Sequence, residues 1–281
     1  MGSAEPDDRS AGPRAGVRLT GSATVPLPEL PDWVRLFRAP NPGPMTLSGT
    51  NSWLLGGRVV VDPGPDDEPH LRALAAERPR LTLVTHGHPD HVDGLPRWRT
   101  LVDAPVRAVS AEYTERPLAD GETIELAGMT IRVLATPGHT TDSACFLVRY
   151  GSDTVLLTGD TVLGAGTTVV MWPDGDLGAY LASLARLREL GAGVPVLPGH
   201  GPALADCAAA ADFYLAHRRA RLDQVRAALA AGARGVDAVV ARVYPDITDG
   251  VRPAAELTVR AQLAYLSDRE HNPPSRPLDT T

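Results

Sequence analysis

Behind the apolar run at residues 81–84 comes Thr85-His86-Gly87-His88-Pro89-Asp90-His91, which places three histidines and one carboxylate within six positions. Gly87 and Pro89 disfavour regular structure immediately after the strand-like run, so the four polar side chains are expected to splay from a loop at a strand end. That placement suits metal ligation. Imidazole and carboxylate donors with no thiol favour zinc, and iron or manganese less strongly. The competing reading is a polar surface loop of unusual composition.

Three further turns carry the same residue types. Thr136-Pro137-Gly138-His139-Thr140 follows a strand-like run at 129–134, Leu156-Leu157-Thr158-Gly159-Asp160 ends a second, and Leu197-Pro198-Gly199-His200-Gly201 ends a third. Each is a strand followed by a glycine turn that presents one His or Asp, and each alone reads as an ordinary turn. Together with the first cluster they supply seven ligand-type residues, enough for two metal ions.

HxHxDH, PGHT, GD and PGHG, in this order over residues 40–204, resemble the metallo-β-lactamase-fold hydrolase superfamily. Within that span, Asn41-Pro42-Gly43-Pro44-Met45-Thr46-Leu47-Ser48-Gly49-Thr50-Asn51 and Gly159-Asp160-Thr161-Val162-Leu163-Gly164-Ala165-Gly166-Thr167-Thr168 resemble its β-lactamase-like protein 2 branch. That branch includes single-stranded-RNA nucleases and, more distantly, thioesterases that release polyketides. The resemblance implies an α/β fold, a metallo-β-lactamase αββα sandwich with a C-terminal helical, winged-helix-like module. It implies two Zn2+ per chain, one bound by His86, His88 and His139 and the other by Asp90, His91 and His200, with Asp160 bridging and Asp62 bracing the metal loop.

Elementary chemistry is consistent with that division. Two cations a few ångströms apart need a shared anion, and a carboxylate can form one bridge while hydroxide forms the other. Zinc brings the pKa of bound water from 15.7 to about 7, so a nucleophile exists at neutral pH without a serine or cysteine. Asp90 and Asp160 are the candidate catalytic carboxylates, Asp90 by orienting the hydroxide and Asp160 by bridging. Thr46, Thr50, Asn51, Thr167, Thr168 and Trp172 lie on loops expected near the metals, where each either contacts substrate or satisfies backbone groups.

The elements that must position these residues follow from periodicity. Strands are expected over 33–37, 51–55, 59–61, 81–84, 106–109, 123–126, 129–134, 144–148 and 154–157, with Gly56-Gly57 as a hairpin turn. Helices are expected over 69–78 and 177–190, the second behind a candidate N-cap, Asp176. This order suits two packed sheets covered by helices, in a catalytic domain over 31–204. From residue 205 to 270 the composition shifts to Ala and Arg, and three helices are expected. After Arg269, His271-Asn272-Pro273-Pro274-Ser275 is unsuited to a regular wing hairpin. Residues 1–30 and 271–281 read as a disordered tail and a flexible end. His70, His217 and His271 fall outside every ligand motif and read as surface residues.

Composition bounds the function. A chain of 281 residues with 43% hydrophobic content can bury a large core. The 27 basic residues are all Arg, which suggests a GC-rich bacterial genome, and the net charge of -7 offers no general attraction to phosphate or anionic membrane. No apolar run is long enough to span a membrane and the N-terminus lacks a secretory core, so a cytoplasmic protein is expected. Cys145 and Cys207 read as buried thiols.

The reading that results is a zinc hydrolase of a small-molecule substrate, an ester or thioester of an acyl compound. The alternatives are a single-stranded-RNA endonuclease, a mononuclear iron sulfur-dioxygenase and a non-catalytic nucleic-acid-binding protein. Charge disfavours nucleic acid, because residues 203–281 carry 10 Arg against 10 Asp plus Glu and only Arg218, Arg219 and Arg221 cluster. A flavodiiron-type protein is disfavoured by His88, where that type carries Glu.

Overall fold

A computed structural model describes residues 17–19, 23–25, 28–190 and 192–271. The expected tails at 1–30 and 271–281 lie mostly outside the described residues. Within the first, β1 (Val17–Leu19) and β2 (Ala23–Val25) pair antiparallel, although no period marks them in the sequence.

Two five-stranded sheets form the centre. The first has the order β3 (Val34–Arg38), β4 (Asn51–Leu55), β5 (Val59–Val61), β6 (Leu81–Leu83) and β7 (Val106–Arg107). The second has the order β12 (Val196–Pro198), β11 (Asp153–Gly159), β10 (Ala144–Tyr150), β9 (Met129–Ala135) and β8 (Thr123–Leu126). Side-chain alternation sorts residues into layers. Trp53, Leu55, Val59, Val61, Met129, Ile131, Phe146 and Val148 meet in a core between the sheets. The alternate residues Leu54 and Val60 face α1 (Glu68–Ala75) and α3 (Leu95–Leu101), which bury Leu71, Leu74, Leu95 and Trp98. On the far side, Leu134, Cys145, Leu147 and Leu156 meet α4 (Leu177–Arg188) and α5 (Cys207–Ala230). The result is an αββα sandwich.

Asp176 caps α4 by accepting from Ala179 N at 2.6 Å, as its position suggested. Two departures from the sequence reading concern histidines and prolines. Pro89 does not keep the metal loop irregular: it starts a single helical turn, α2 (Pro89–Val92), because its fixed φ suits a first helical position whose N–H needs no partner. His91 therefore projects from a helix rather than a loop. His70 is buried rather than exposed, since the cap that Asp67 gives α1 turns it inward, where Nε2 lies 3.0 Å from Ser52 Oγ. His217 is half-buried, with its Nδ1 enclosed, and burial pushes its pKa down to about 4. The side chain of His271 lies outside the description. Both cysteines are free and buried.

The C-terminal helices α5, α6 (Gly235–Val243) and α7 (Arg252–His271) do not enclose a core of their own. Tyr214, Leu222, Val225, Val239, Val240 and Val259 join the same apolar cluster as Leu134 and Leu156 of the second sheet. Among the described residues no strand follows β12, so the winged-helix-like module reduces to helices without a wing. No helix among the described residues is long and apolar enough to cross a membrane.

Phe146, fully buried between the sheets, sets the stability test. Phe146→Ala should lower the unfolding free energy by about 3–5 kcal/mol in urea titration, whereas Leu36→Ala, on a 38% exposed side chain, should change it by less than about 0.5 kcal/mol.

Candidate metal centre

Topology brings the seven sequence-predicted ligands to one end of the sandwich. β9 and β11 both run antiparallel to β10 and so parallel to each other, and β12 runs parallel to β11. Their C-terminal ends, which carry His139, Asp160 and His200, therefore lie on one edge. β5 and β6 are likewise parallel and end in Asp62 and the His86–His91 segment. The two groups of donors that result are His86, His88, His139 and Asp160, and Asp90, His91 and His200, with donor atoms in each group within 4.8 Å of one another.

In the first group, His88 Nδ1 lies 3.0 Å from His86 Nε2 and 2.9 Å from His139 Nε2. In the second, His200 Nε2 lies 3.3 Å from His91 Nε2 and 3.1 Å from Asp90 Oδ2. Asp160 faces both: Oδ2 is 3.3 Å from His200 Nε2 and 3.8 Å from His139 Nε2, and Oδ1 is 3.6 Å from His91 Nε2.

The tautomers follow from the outer partners. His139 Nδ1 lies 2.6 Å from the Val169 carbonyl and His200 Nδ1 3.4 Å from the Gly49 carbonyl. A carbonyl only accepts, so Nδ1 carries a proton, and in the neutral ring the Nε2 lone pair points inward. His91 Nδ1 is held by Asp62 Oδ2 at 2.9 Å, and His86 Nδ1 by Thr85 Oγ1 at 3.0 Å, the hydroxyl itself donating to Asp62 Oδ2 at 2.7 Å. Asp62, at a left-handed φ of 55°, also accepts from Thr85 N and thereby ties β5 to the start of the histidine loop.

Inward lone pairs and two carboxylates facing each other fit a cation. Donors at zinc's bond length of about 2.0–2.1 Å in a tetrahedron stand roughly 3.3 Å apart, close to the spacings above. Asp160 Oδ1 is buried without a hydrogen-bond donor, a cost that a cation would remove. Gly199 leaves the room: a Cβ there would stand 2.5 Å from Asp160 Oδ1 and 2.8 Å from His91 Cε1. The field agrees with the donor chemistry. Burial holds His86 and His88 below the usual imidazole range and His139 at about 4, which favours the neutral form that a metal ion would need. Burial would also depress His91 and His200, but Asp90, Asp160 and, for His91, Asp62 outweigh it and raise them to about 9 and about 10. The negative potential at that end favours positive charge. The carboxyls of Asp90 and Asp160 titrate below the usual range, because the neighbouring histidines outweigh burial.

Several residues read from the sequence as substrate contacts are spent on the site itself. Thr50 is buried and donates to Asp90 Oδ2 at 2.8 Å, its own position set by Asn41. Asn51 is fully buried and donates to the Pro198 and Gly201 carbonyls at 3.0 and 2.8 Å, holding the turn that carries His200. Thr168 is buried with Oγ1 3.2 Å from His139 Nδ1. Thr46 donates to the Asn41 carbonyl from a half-buried position, Thr167 is half-buried, and Trp172 is 36% exposed. Sequence reasoning missed Thr85 and Tyr113. Thr85 stands next to His86 in the motif, and its hydroxyl was the available signal. Tyr113, whose phenol donates to the Gly87 carbonyl at 3.3 Å, sits in a segment with no period to mark it.

Residues 45–200 match the family model of the metallo-beta-lactamase superfamily. The chain is 31% identical over 262 residues to a beta-lactamase-like protein 2 homolog of Caenorhabditis elegans, covering 86% of each chain. It is 36% identical over 228 residues to an atrochrysone carboxyl ACP thioesterase of Aspergillus chevalieri, covering 74% of this chain and 70% of that one. The crystal structure of a metallo-beta-lactamase family protein from Thermus thermophilus superposes with a TM-score of 0.72 at 26% identity, over 86% of this chain and 95% of that one. With its strand order and its histidine and aspartate clusters in place, the chain belongs to the metallo-β-lactamase superfamily.

Proposed function

We propose that the protein is a dinuclear zinc hydrolase of acyl thioesters, with esters of small acyl compounds as related substrates. His86, His88 and His139 hold one ion, Asp90, His91 and His200 the other, and Asp160 is shared. When bound, the two ions supply a water nucleophile deprotonated near neutral pH and positive charge to polarise the acyl carbonyl. The chain's residues orient the reaction. Thr50 engages Asp90 Oδ2 and so fixes the carboxylate that would orient the nucleophile.

The observation that carries the choice of substrate is the cleft beside His88. It encloses about 260 Å³ and is lined by Ser110, Glu112, Tyr113, Thr140, Asp142 and Asp174, with three carboxylates and no arginine. A phosphate backbone entering there meets like charge, whereas a neutral acyl group or pantetheine-like arm does not. The relative named as an ACP thioesterase supports the same choice. The completeness of both donor groups supports two ions over the single iron of a sulfur-dioxygenase.

Zinc-loaded protein should release free thiol from acyl thioesters, and His88→Ala should abolish that release. Tight binding and His88-dependent cleavage of single-stranded RNA at physiological salt, with no thioester or ester turnover, would falsify the assignment. The ligand division makes a second prediction, read by metal analysis. Asp160→Ala should lose metal as well as rate, because two close cations are left under-neutralised. His200→Ala should keep about one ion while losing most activity. Retention of both ions and full turnover in Asp160→Ala would remove the shared carboxylate from the scheme.

A further inference from the structure

One segment, residues 160–172, touches both donor groups of the centre. It begins at Asp160, donates from Gly164 N to the His200 carbonyl at 2.8 Å, and ends by holding His139 through Thr168 Oγ1 and the Val169 carbonyl. Met171 N donates to the His139 carbonyl at 3.2 Å. This segment in turn is gripped from behind by α5, at two residues one helical turn apart. The Tyr214 hydroxyl accepts from Leu163 N at 2.9 Å, and the Arg218 guanidinium donates through Nη2 to the Thr168 carbonyl.

Arg218 is an unusual choice for a packing residue. Its side chain is 2% exposed, no carboxylate among the described residues pairs with it, and its Nε is buried without an acceptor. Its guanidinium lies 5.2 Å from the centre of the Tyr180 ring, and the Tyr180 hydroxyl donates to the Thr161 carbonyl at 2.7 Å, on the same segment. Burying a cation without a carboxylate partner is costly. A methionine of similar reach would fill the space without that cost, but it could not bond the Thr168 carbonyl.

We propose that Arg218 is a positioning residue for His139: from the C-terminal helical region it fixes the Thr168–Val169 backbone that sets the orientation of that imidazole, and so tunes the His86–His88–His139 metal position. The helical region is then part of the metal site's framework. Tyr180 contributes to the same framework from α4. Gly138 packs so closely on it that a Cβ would stand 2.3 Å from Tyr180 Cα, so the turn before His139 rests on the backbone that carries the ring beneath Arg218.

This inference rests on the dinuclear reading of the site, and the two fail differently. A wild-type chain that binds no metal defeats the reading, whereas unchanged metal binding in the variants defeats the role of Arg218. The experiment titrates cobalt(II) or zinc into the full-length apoprotein and resolves the two positions by affinity and, for cobalt, by visible absorption. Arg218→Met should weaken the His86–His88–His139 position, identified as the one that His200→Ala retains, by roughly 10–100-fold, the range for partners that orient a ligand, and alter its spectrum. The other position should be little changed, and the urea midpoint of the apoprotein should not fall in proportion, which separates positioning from general destabilisation. Arg218→Lys, which keeps a donor but not the planar fork over Tyr180, should recover part of the loss. Wild-type affinity and spectrum at both positions in Arg218→Met overturns the proposal. Should Arg218→Met not fold, Arg218→Lys decides alone: a selective loss at the His86–His88–His139 position supports the role, and an unchanged one overturns it.

Discussion

Donors of one polarity crowded together are the constraint on which this structure depends. Inward imidazole lone pairs and two carboxylates repel one another unless positive charge lies between them, and every such group is held by something behind it. Asp62, Thr85 and the Gly49 and Val169 carbonyls take the outward nitrogens, while Thr50 engages Asp90. These outer partners do two things at once, since an acceptor behind a histidine fixes its tautomer and also prevents the ring from swinging away. The raised pKa values of His91 and His200, set against the depressed values of His86, His88 and His139, show where the negative potential is concentrated: at the end that Asp62, Asp90 and Asp160 share.

The fold answers this constraint through strand ends. A strand deep in a sheet is the least mobile part of the backbone, and residues just beyond it inherit that rigidity while escaping the ladder. Asp62, His86, His139 and Asp160 occupy such positions behind interior strands, His200 follows the edge strand β12, and parallel relationships between their strands put them on one edge. Helices act as buttresses. α4 lies under the His139 turn, α5 grips the segment from Asp160 to Thr168, and both are anchored by the apolar cluster that continues into α6 and α7.

The parts of this arrangement visible in the sequence are those governed by local rules. Short apolar runs bounded by the Gly56-Gly57 turn located β4 and β5, which are buried on both faces, while single-face burial left a periodic trace that located β8 and, behind Asp176, the start of α4. Pro89 was read as a breaker because a proline's role depends on whether a helix starts or continues there, and one turn is too short to leave a period. The roles of Asn51, Thr50 and Thr168 were not legible for a different reason. A buried threonine and a substrate-facing one have the same local sequence, and only the distance to Asp90 or His139 separates them. Arg218 was read as part of a basic surface cluster with Arg219 and Arg221, yet the helix turns it inward while Arg219 is exposed. Its burial is set by contacts made 50 residues away, which no window along the chain can report.

The proton inventory of the site bears on the bond that it breaks. Thiols titrate near 8.5 and leave as thiolates without a proton donor, whereas alcohols and amines leave poorly unless protonated. Here donors are scarce. His86, His88 and His139 are neutral and turned inward, and the Asp90 and Asp160 carboxyls titrate below their usual range. With an ion bound, His91 and His200 would spend Nε2 on it and keep only their Nδ1 protons, tied to Asp62 and the Gly49 carbonyl and facing away from the cleft. Tyr113 lies nearest the cleft mouth, but burial and neighbouring carboxylates push its phenol upward and make it a weaker acid still. A site with no acid poised opposite its donors suits a leaving group that departs as an anion, which supports the thioester reading proposed above.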